Sequence, residues 1–242
     1  MVSAGILSAS LAQATPFNIT INDNNSASGY IGTGVGKEDN ETEPGTVKSD
    51  AWDYEALGYD PGTKQLDVIG TFNFAQGQTA SGKTYHAGAI FIGTGPTLPR
   101  PNNWSYAYVL DFNNNTYALY NSFNIVLPTD ILASSPWTIT PTGDAIATGS
   151  FLYATGLSDP NGFGLTTMSG DGNAPIHNMI SLSLADLSPT VLNDFWVHTT
   201  PECGNDNLNG HYQSVPDAGA TLMLLGMGVS TLACVNRRLK RK

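Results

Sequence analysis

Eight residues, Gly77-Gln78-Thr79-Ala80-Ser81-Gly82-Lys83-Thr84, match the phosphate-binding pattern G-x-x-x-x-G-K-[ST] letter for letter. In that chemistry backbone N–H groups surround the phosphates, Lys83 meets the γ-phosphate and Thr84 holds Mg²⁺. Asp111, closing the run Ala107–Asp111, could pose as the second metal ligand. Such a loop must open into a helix, whose N-terminus holds the phosphate. Here Tyr85-His86-Ala87-Gly88-Ala89-Ile90-Phe91-Ile92-Gly93 follows, a β-like run with two glycines. These residues favour an exposed β-hairpin loop with Lys83 on its surface.

The other reactive side chains form few patterns. Gly32-Thr33-Gly34-Val35-Gly36 lacks the spacing of a dinucleotide fingerprint, and no G-x-S-x-G, H-E-x-x-H or C-x-x-C occurs. The four histidines, His86, His177, His198 and His211, are scattered, and His198 within Phe195–Thr199 marks a strand face. Asp53 and Glu55, two residues apart, would share one face of a strand. They are the carboxylate pair on which an extracellular hydrolase would rest. Hard oxygen ligands gather in Glu38, Asp39, Glu41 and Glu43, and again in Glu202, Asn205, Asp206 and Asn207. Ca²⁺ takes six to eight oxygens of this kind. A structural Ca²⁺ held by Glu41, Glu43, Glu202 and Asp206 would tie the N-terminal acidic loop to the last turn of the domain. A solvated acidic loop plus an Asn/Gly turn accounts for the same residues.

The C-terminus is more specific. Val215-Pro216-Asp217-Ala218-Gly219 leads into an apolar run, and Arg237-Arg238-Leu239-Lys240-Arg241-Lys242 ends the chain. From Ala218 to Val235 no side chain is charged. A helix of that length is about 27 Å long, close to the bilayer hydrocarbon. The basic cluster, Arg237, Arg238, Lys240, Arg241 and Lys242, would stay in the cytoplasm and leave the rest outside.

Motif, span and basic stop together resemble the C-terminal sorting signals of the PEP-CTERM/exosortase system, in the VPDSG variant. Ala218 stands where that pattern has Ser. The resemblance implies an exosortase-type membrane enzyme as partner, a transient membrane helix and removal of the tail. A second resemblance rests on Glu41-Thr42-Glu43-Pro44-Gly45, Ala51–Glu55 and Glu202-Cys203-Gly204-Asn205-Asp206-Asn207. These stretches look like the ends of uncharacterised PEP-CTERM ectodomains, a group that brings no activity with it.

Charge separates the two parts of the chain. Residues 1–217 carry five Lys/Arg against all 20 Asp/Glu, a balance of −15. Such a surface repels nucleic acid and anionic lipid and favours cations. Of the two cysteines, Cys203 lies before the expected span and Cys234 near its cytoplasmic end, so they give no disulfide framework. Residues 1–14 are uncharged and end in Ala12-Gln13-Ala14, the cleavage pattern of a signal peptide lacking its basic n-region.

Between these signals, residues 15–214 read as one domain of short β-runs separated by Gly, Pro and Asn. The runs are Phe17–Ile21, Ala51–Tyr59, Gln65–Phe74, Tyr85–Gly93, Ser105–Phe112, Thr116–Tyr120, Asn124–Leu127, Ile146–Ala154, Asn178–Ala185 and Asp194–Thr200. Tyr106, Tyr108, Leu110 and Phe112 share one face, as do Leu66, Val68 and Phe72. One helical turn is expected around Ala185–Leu192, limited by Pro189. The pattern predicts an all-β fold, a jelly-roll-like β-sandwich, followed by a transmembrane sorting signal at 215–242.

The expected role is that of an exported structural or adhesive protein, non-enzymatic, at the cell surface or in extracellular matrix. The alternative is a carbohydrate-binding module meeting extracellular polysaccharide, since Trp52, Trp104, Trp137 and Tyr106 could stack on sugar rings.

Overall fold

A computed structural model describes residues 16–22, 50–99, 103–126, 137–163, 165, 176–204 and 206–214. The chain divides into two units, Met1–Tyr212 and Gln213–Lys242. The first unit is almost wholly β. Its strands are β1 (Phe17–Asn18), β2 (Thr20–Asn22), β3 (Tyr54–Asp60), β4 (Gln65–Gly70), β5 (Gln78–Ala80), β6 (Lys83–Tyr85), β7 (Ile90–Gly93) and β8 (Tyr106–Asp111). They continue with β9 (Thr116–Tyr120), β10 (Phe123–Val126), β11 (Thr138–Pro141), β12 (Ala147–Leu157), β13 (His177–Ser183), β14 (Asp194–Thr199) and β15 (Leu208–Gln213). One short helix, α1 (Pro189–Asn193), precedes β14.

Eleven strands form one sheet in the order β1-β3-β4-β13-β12-β9-β8-β7-β14-β15-β2. Its two ends are halves of a single extended segment. Ile19, between β1 and β2, donates its N–H to Leu57 O at 2.9 Å and accepts the His211 N–H at 2.9 Å. The sheet thus curls into a near-barrel, where the sequence predicts a jelly-roll-like sandwich. The corner is turned by β12: Ala147–Ser150 pair with β9 and Phe151–Leu157 with β13. A strand shared by both halves merges what would otherwise be two stacked sheets. The segment Phe17–Asn22 runs antiparallel to β15, so the chain enters and leaves the closed sheet at the same end.

The expected alternation holds on the inner face. Leu66, Val68, Phe72 and Tyr108 lie in the main core, with Tyr106, Leu110 and Phe112 packed against it. Full burial of a Leu, Ile or Phe stabilises by about 1.5–3 kcal/mol relative to exposure. Two smaller cores cover the outer face. Ala89, Phe91, Trp104, Ala107 and Ile139 form one, and Phe123 and Ile125 of the β10–β11 hairpin pack against it. Ala56, Ile69 and Leu165 form the other. Strands β3 and β7 are therefore buried on both faces.

Pro189 starts the helix rather than limiting it. It occupies the first turn after Ser188, whose Oγ accepts the Val191 N–H at 3.4 Å. Proline is suited to that position because its missing N–H would have no helical partner there.

Candidate functional site

The segment after β14 joins three elements. Gly88 N–H donates to Thr200 O at 2.9 Å, and Glu202 N–H donates to His86 O at 2.8 Å. The Glu202 carboxylate in turn accepts the His86 N–H at 3.1 Å. Cys203 is buried and takes no part in a disulfide. Gly204 adopts φ +63°, and a side chain on it would meet the Trp137 ring at 2.7 Å. Only glycine suits that combination of backbone and space.

Asp206 then turns inward. One carboxylate oxygen accepts the Tyr54 N–H, at the start of β3. The other accepts the Asn207 N–H at 2.7 Å. Thr200 Oγ1 donates to the Asp206 carbonyl at 2.5 Å. The chain of contacts continues from Asn209 Nδ2 to Asn207 Oδ1 at 2.6 Å and from Asn209 Oδ1 to His198 Nδ1 at 2.9 Å. With that amide orientation His198 Nδ1 is the donor. Its ring stacks on Trp104 at 5.5 Å. Asp206, Asn207, Asn209 and His198 are all buried. Burial first, and then the nearby Asp206, push the Tyr54 hydroxyl well above 10.0.

The turn expected to present Asp206 and Asn207 to a cation therefore buries them instead. Backbone donors meet the Asp206 carboxylate. Glu202 is exposed and held by His86, so the two acids of the loop have different partners. Glu41 and Glu43 lie outside the described residues. Among the described residues, no three His, Cys, Asp or Glu gather in a way that could hold a metal.

Glu202 also lines an open groove of about 450 Å³. Its polar lining is His86, Asp111, Asn113, Thr138 and Glu202, over Ala87, Gly88 and Ala89. The Asn114 side chain and the Asn113 N–H hold the Asp111 carboxyl below 3.8. The groove thus offers acceptors to a ligand rich in hydroxyl or ammonium donors.

The phosphate-binding pattern is a hairpin. Strands β5 and β6 pair antiparallel around Ser81 (φ +52°) and Gly82 (φ +78°), and β6 stands where a helix would be needed. Lys83 extends over its neighbour Tyr85, 4.8 Å from the ring centroid. Asp111 is committed to the turn after β8, accepting from Asn113 N at 2.9 Å and Asn114 Nδ2 at 2.7 Å.

Asp53 and Glu55 do not form a paired face. The β3–β4 register shifts between Tyr54 and Ala56, which makes Glu55 a bulge residue and re-aims its side chain. Glu55 meets His177 at 2.8 Å, both 0% exposed. Asp67 is another buried acid, accepting from Ser181 Oγ at 2.6 Å, Asn161 Nδ2 at 2.8 Å and Gln65 Nε2 at 3.0 Å. Sequence reasoning misses the Glu55–His177 pair and passes over Asp67, because His177, Asn161 and Ser181 lie more than 90 residues from the acids they meet.

The expected aromatic platform is core. Trp52, Trp104 and Trp137 are buried, and Tyr106 packs against the main cluster. The sorting motif Val215, Pro216, Asp217, Ala218 and Gly219 and the basic residues Arg237, Arg238, Lys240, Arg241 and Lys242 lie outside the described residues. So do the expected signal peptide and transmembrane helix. Among the described residues, no helix is long and apolar enough to cross a membrane.

Residues 214–239 match the family model described as the VPDSG-CTERM motif. No curated protein and no solved structure matches the chain. The match makes the last residues a PEP-CTERM-like sorting tail, and the protein one that is sorted through its C-terminus. Such a tail implies an exosortase-type processing enzyme as a partner.

Proposed function

We propose that this chain is an exported precursor whose β domain serves a structural or adhesive, non-catalytic role at the cell surface or in extracellular matrix. A signal peptide ending at Ala14 starts export, and residues 220–235 hold the precursor in the membrane as a helix. The exosortase-type enzyme then cuts near Val215–Gly219. One observation carries the proposal: the tail matching the sorting motif begins at residue 214, directly after β15. A balance of −15 over residues 1–217 also suits an ectodomain that stays clear of anionic surfaces. A structural Ca²⁺ held by Glu41, Glu43, Glu202 and Asp206 is part of the proposal, the Asp206 carboxylate also accepting from the Tyr54 and Asn207 N–H groups. The test is the intact mass of the protein recovered from its native host.

The groove favours a second reading. Asp111, Asn113, Thr138 and Glu202 can accept and donate hydrogen bonds to sugar hydroxyls, so an extracellular polysaccharide would bind there and not on the buried tryptophans. Affinity electrophoresis through a soluble neutral polysaccharide tests it, with retardation expected for the wild type and lost in Asp111→Ala.

A further inference from the structure

In the strand order of the described sheet, the segment Phe17–Asn22 is the part that pairs with both β3 and β15. It is short, and its hold is local. Phe17 and Asn18 pair with Tyr59 and Gly58, and Thr20 and Asn22 pair with Gly210 and Asn209. Ile19 adds the two backbone bonds to Leu57 and His211, and Thr20 Oγ1 accepts the Leu57 N–H at 2.8 Å. The Ile19 side chain is buried in the main core. Gly210 makes the seat possible: a side chain there would meet Leu57 Cδ1 at 2.7 Å and Ile19 O at 3.0 Å.

The other nine strands of the sheet run without a break from β3 to β15. Taking the segment away would leave β3 and β15 as open edges around a slot shaped for six residues of this sequence. Open edges are templates for a strand from another chain. The segment reaches its own slot through residues 23–49, a tether of 27 residues. That much chain spans up to about 90 Å when extended, whereas neighbouring strands lie about 4.8 Å apart. A chain of that length can reach the slot of a neighbouring molecule as well as its own.

We propose that the partner of this slot is a second copy of this chain, which donates its Phe17–Asn22 segment to complete the sheet of its neighbour. Every backbone bond and the Ile19 contact are the same in the closed and exchanged forms, so exchange creates no new unsatisfied group. Reciprocal exchange gives a dimer, and serial exchange gives an open chain of domains. The inference rests on the strand geometry and is independent of the sorting tail.

The experiment uses the full chain in detergent, with a fluorescein-labelled peptide of residues 15–23 as the probe. Wild-type protein incubated at high concentration is expected to yield species of at least twice the monomer mass by light scattering. Excess peptide should return them to monomer carrying one bound peptide, while a peptide with Ile19→Asp should have no effect. The full-chain variant Ile19→Asp, with its own strand disabled, should take up one wild-type peptide and form no such species alone. If that variant does not fold, the wild-type arm decides. Wild-type protein that stays monomeric without taking up peptide, or oligomers that excess peptide leaves intact, would overturn the proposal.

Discussion

The His211 amide donates to the Ile19 carbonyl at 2.9 Å, which fastens the last strand of the domain to its first. Everything between β3 and β15 is sealed by this contact and its counterpart at Leu57. Ile19→Ala should therefore cost about 2–5 kcal/mol, the range for truncating a buried aliphatic side chain. Denaturant unfolding measures the cost, and hydrogen exchange should show the His211 amide losing protection along with it.

Asp206 ties the loop before β15 to the start of β3 through the Tyr54 N–H. Asp206→Ala leaves that buried donor without its acceptor and should destabilise by about 1–3 kcal/mol. If backbone donors alone meet this carboxylate, the loss is the same in EDTA and in millimolar Ca²⁺. A penalty that appears only with Ca²⁺ present would place a metal at this turn.

Much of the fold is legible in local pattern, and little of its closure is. Tyr106, Tyr108, Leu110 and Phe112 announce a strand because the cause, one buried face, repeats every second residue. Strand β15 goes unread: Leu-Asn-Gly-His-Tyr-Gln has no β-branched residue, and Gly210 is there for close approach to Ile19. The sheet closes through residues at positions 19, 57 and 211, and no local signal encodes such distant pairing. The Asn-Asp-Asn stretch reads as an exposed turn because these residues usually serve turns. Asp206 and Asn207 are buried because their side chains accept from the Tyr54 and Asn207 N–H groups and from Asn209 Nδ2. Glu55 and His177 are legible only once the bulge and the β13 register are known.

Stability should fall at both extremes of pH. Burial acts to raise the Asp60 pKa, but the Thr63 hydroxyl and Gly62 N–H outweigh it and hold the carboxyl below 3.8. A depressed carboxylate contributes stability above its unfolded value, and loses it as pH falls through the folded one. Asp60→Asn should flatten the acid limb of a plot of unfolding midpoint against pH. Burial pushes Tyr59 to about 12; Tyr117 reaches about 12 through burial and its bond to Asp186. These raised values give stability that is complete below 10 and lost as pH rises through about 12. Tyr117→Phe should remove part of that alkaline limb.

Lys83→Ala should leave the domain nearly unchanged. The side chain is exposed and lies over Tyr85, a contact worth about 0.5–1 kcal/mol at such a site. The melting temperature should drop by no more than a few degrees, and titration with ATP and Mg²⁺ should give no heat in either protein. Nucleotide binding that disappears in the variant would contradict the hairpin assignment.

The most direct test of the account is the intact mass of this protein isolated from its native host. The expected mass is that of a chain beginning near Thr15 and ending within Val215–Gly219, with residues 220–242 gone. Recovery solely of chains that retain the apolar run and the basic residues through Lys242 would contradict sorting with cleavage at this tail.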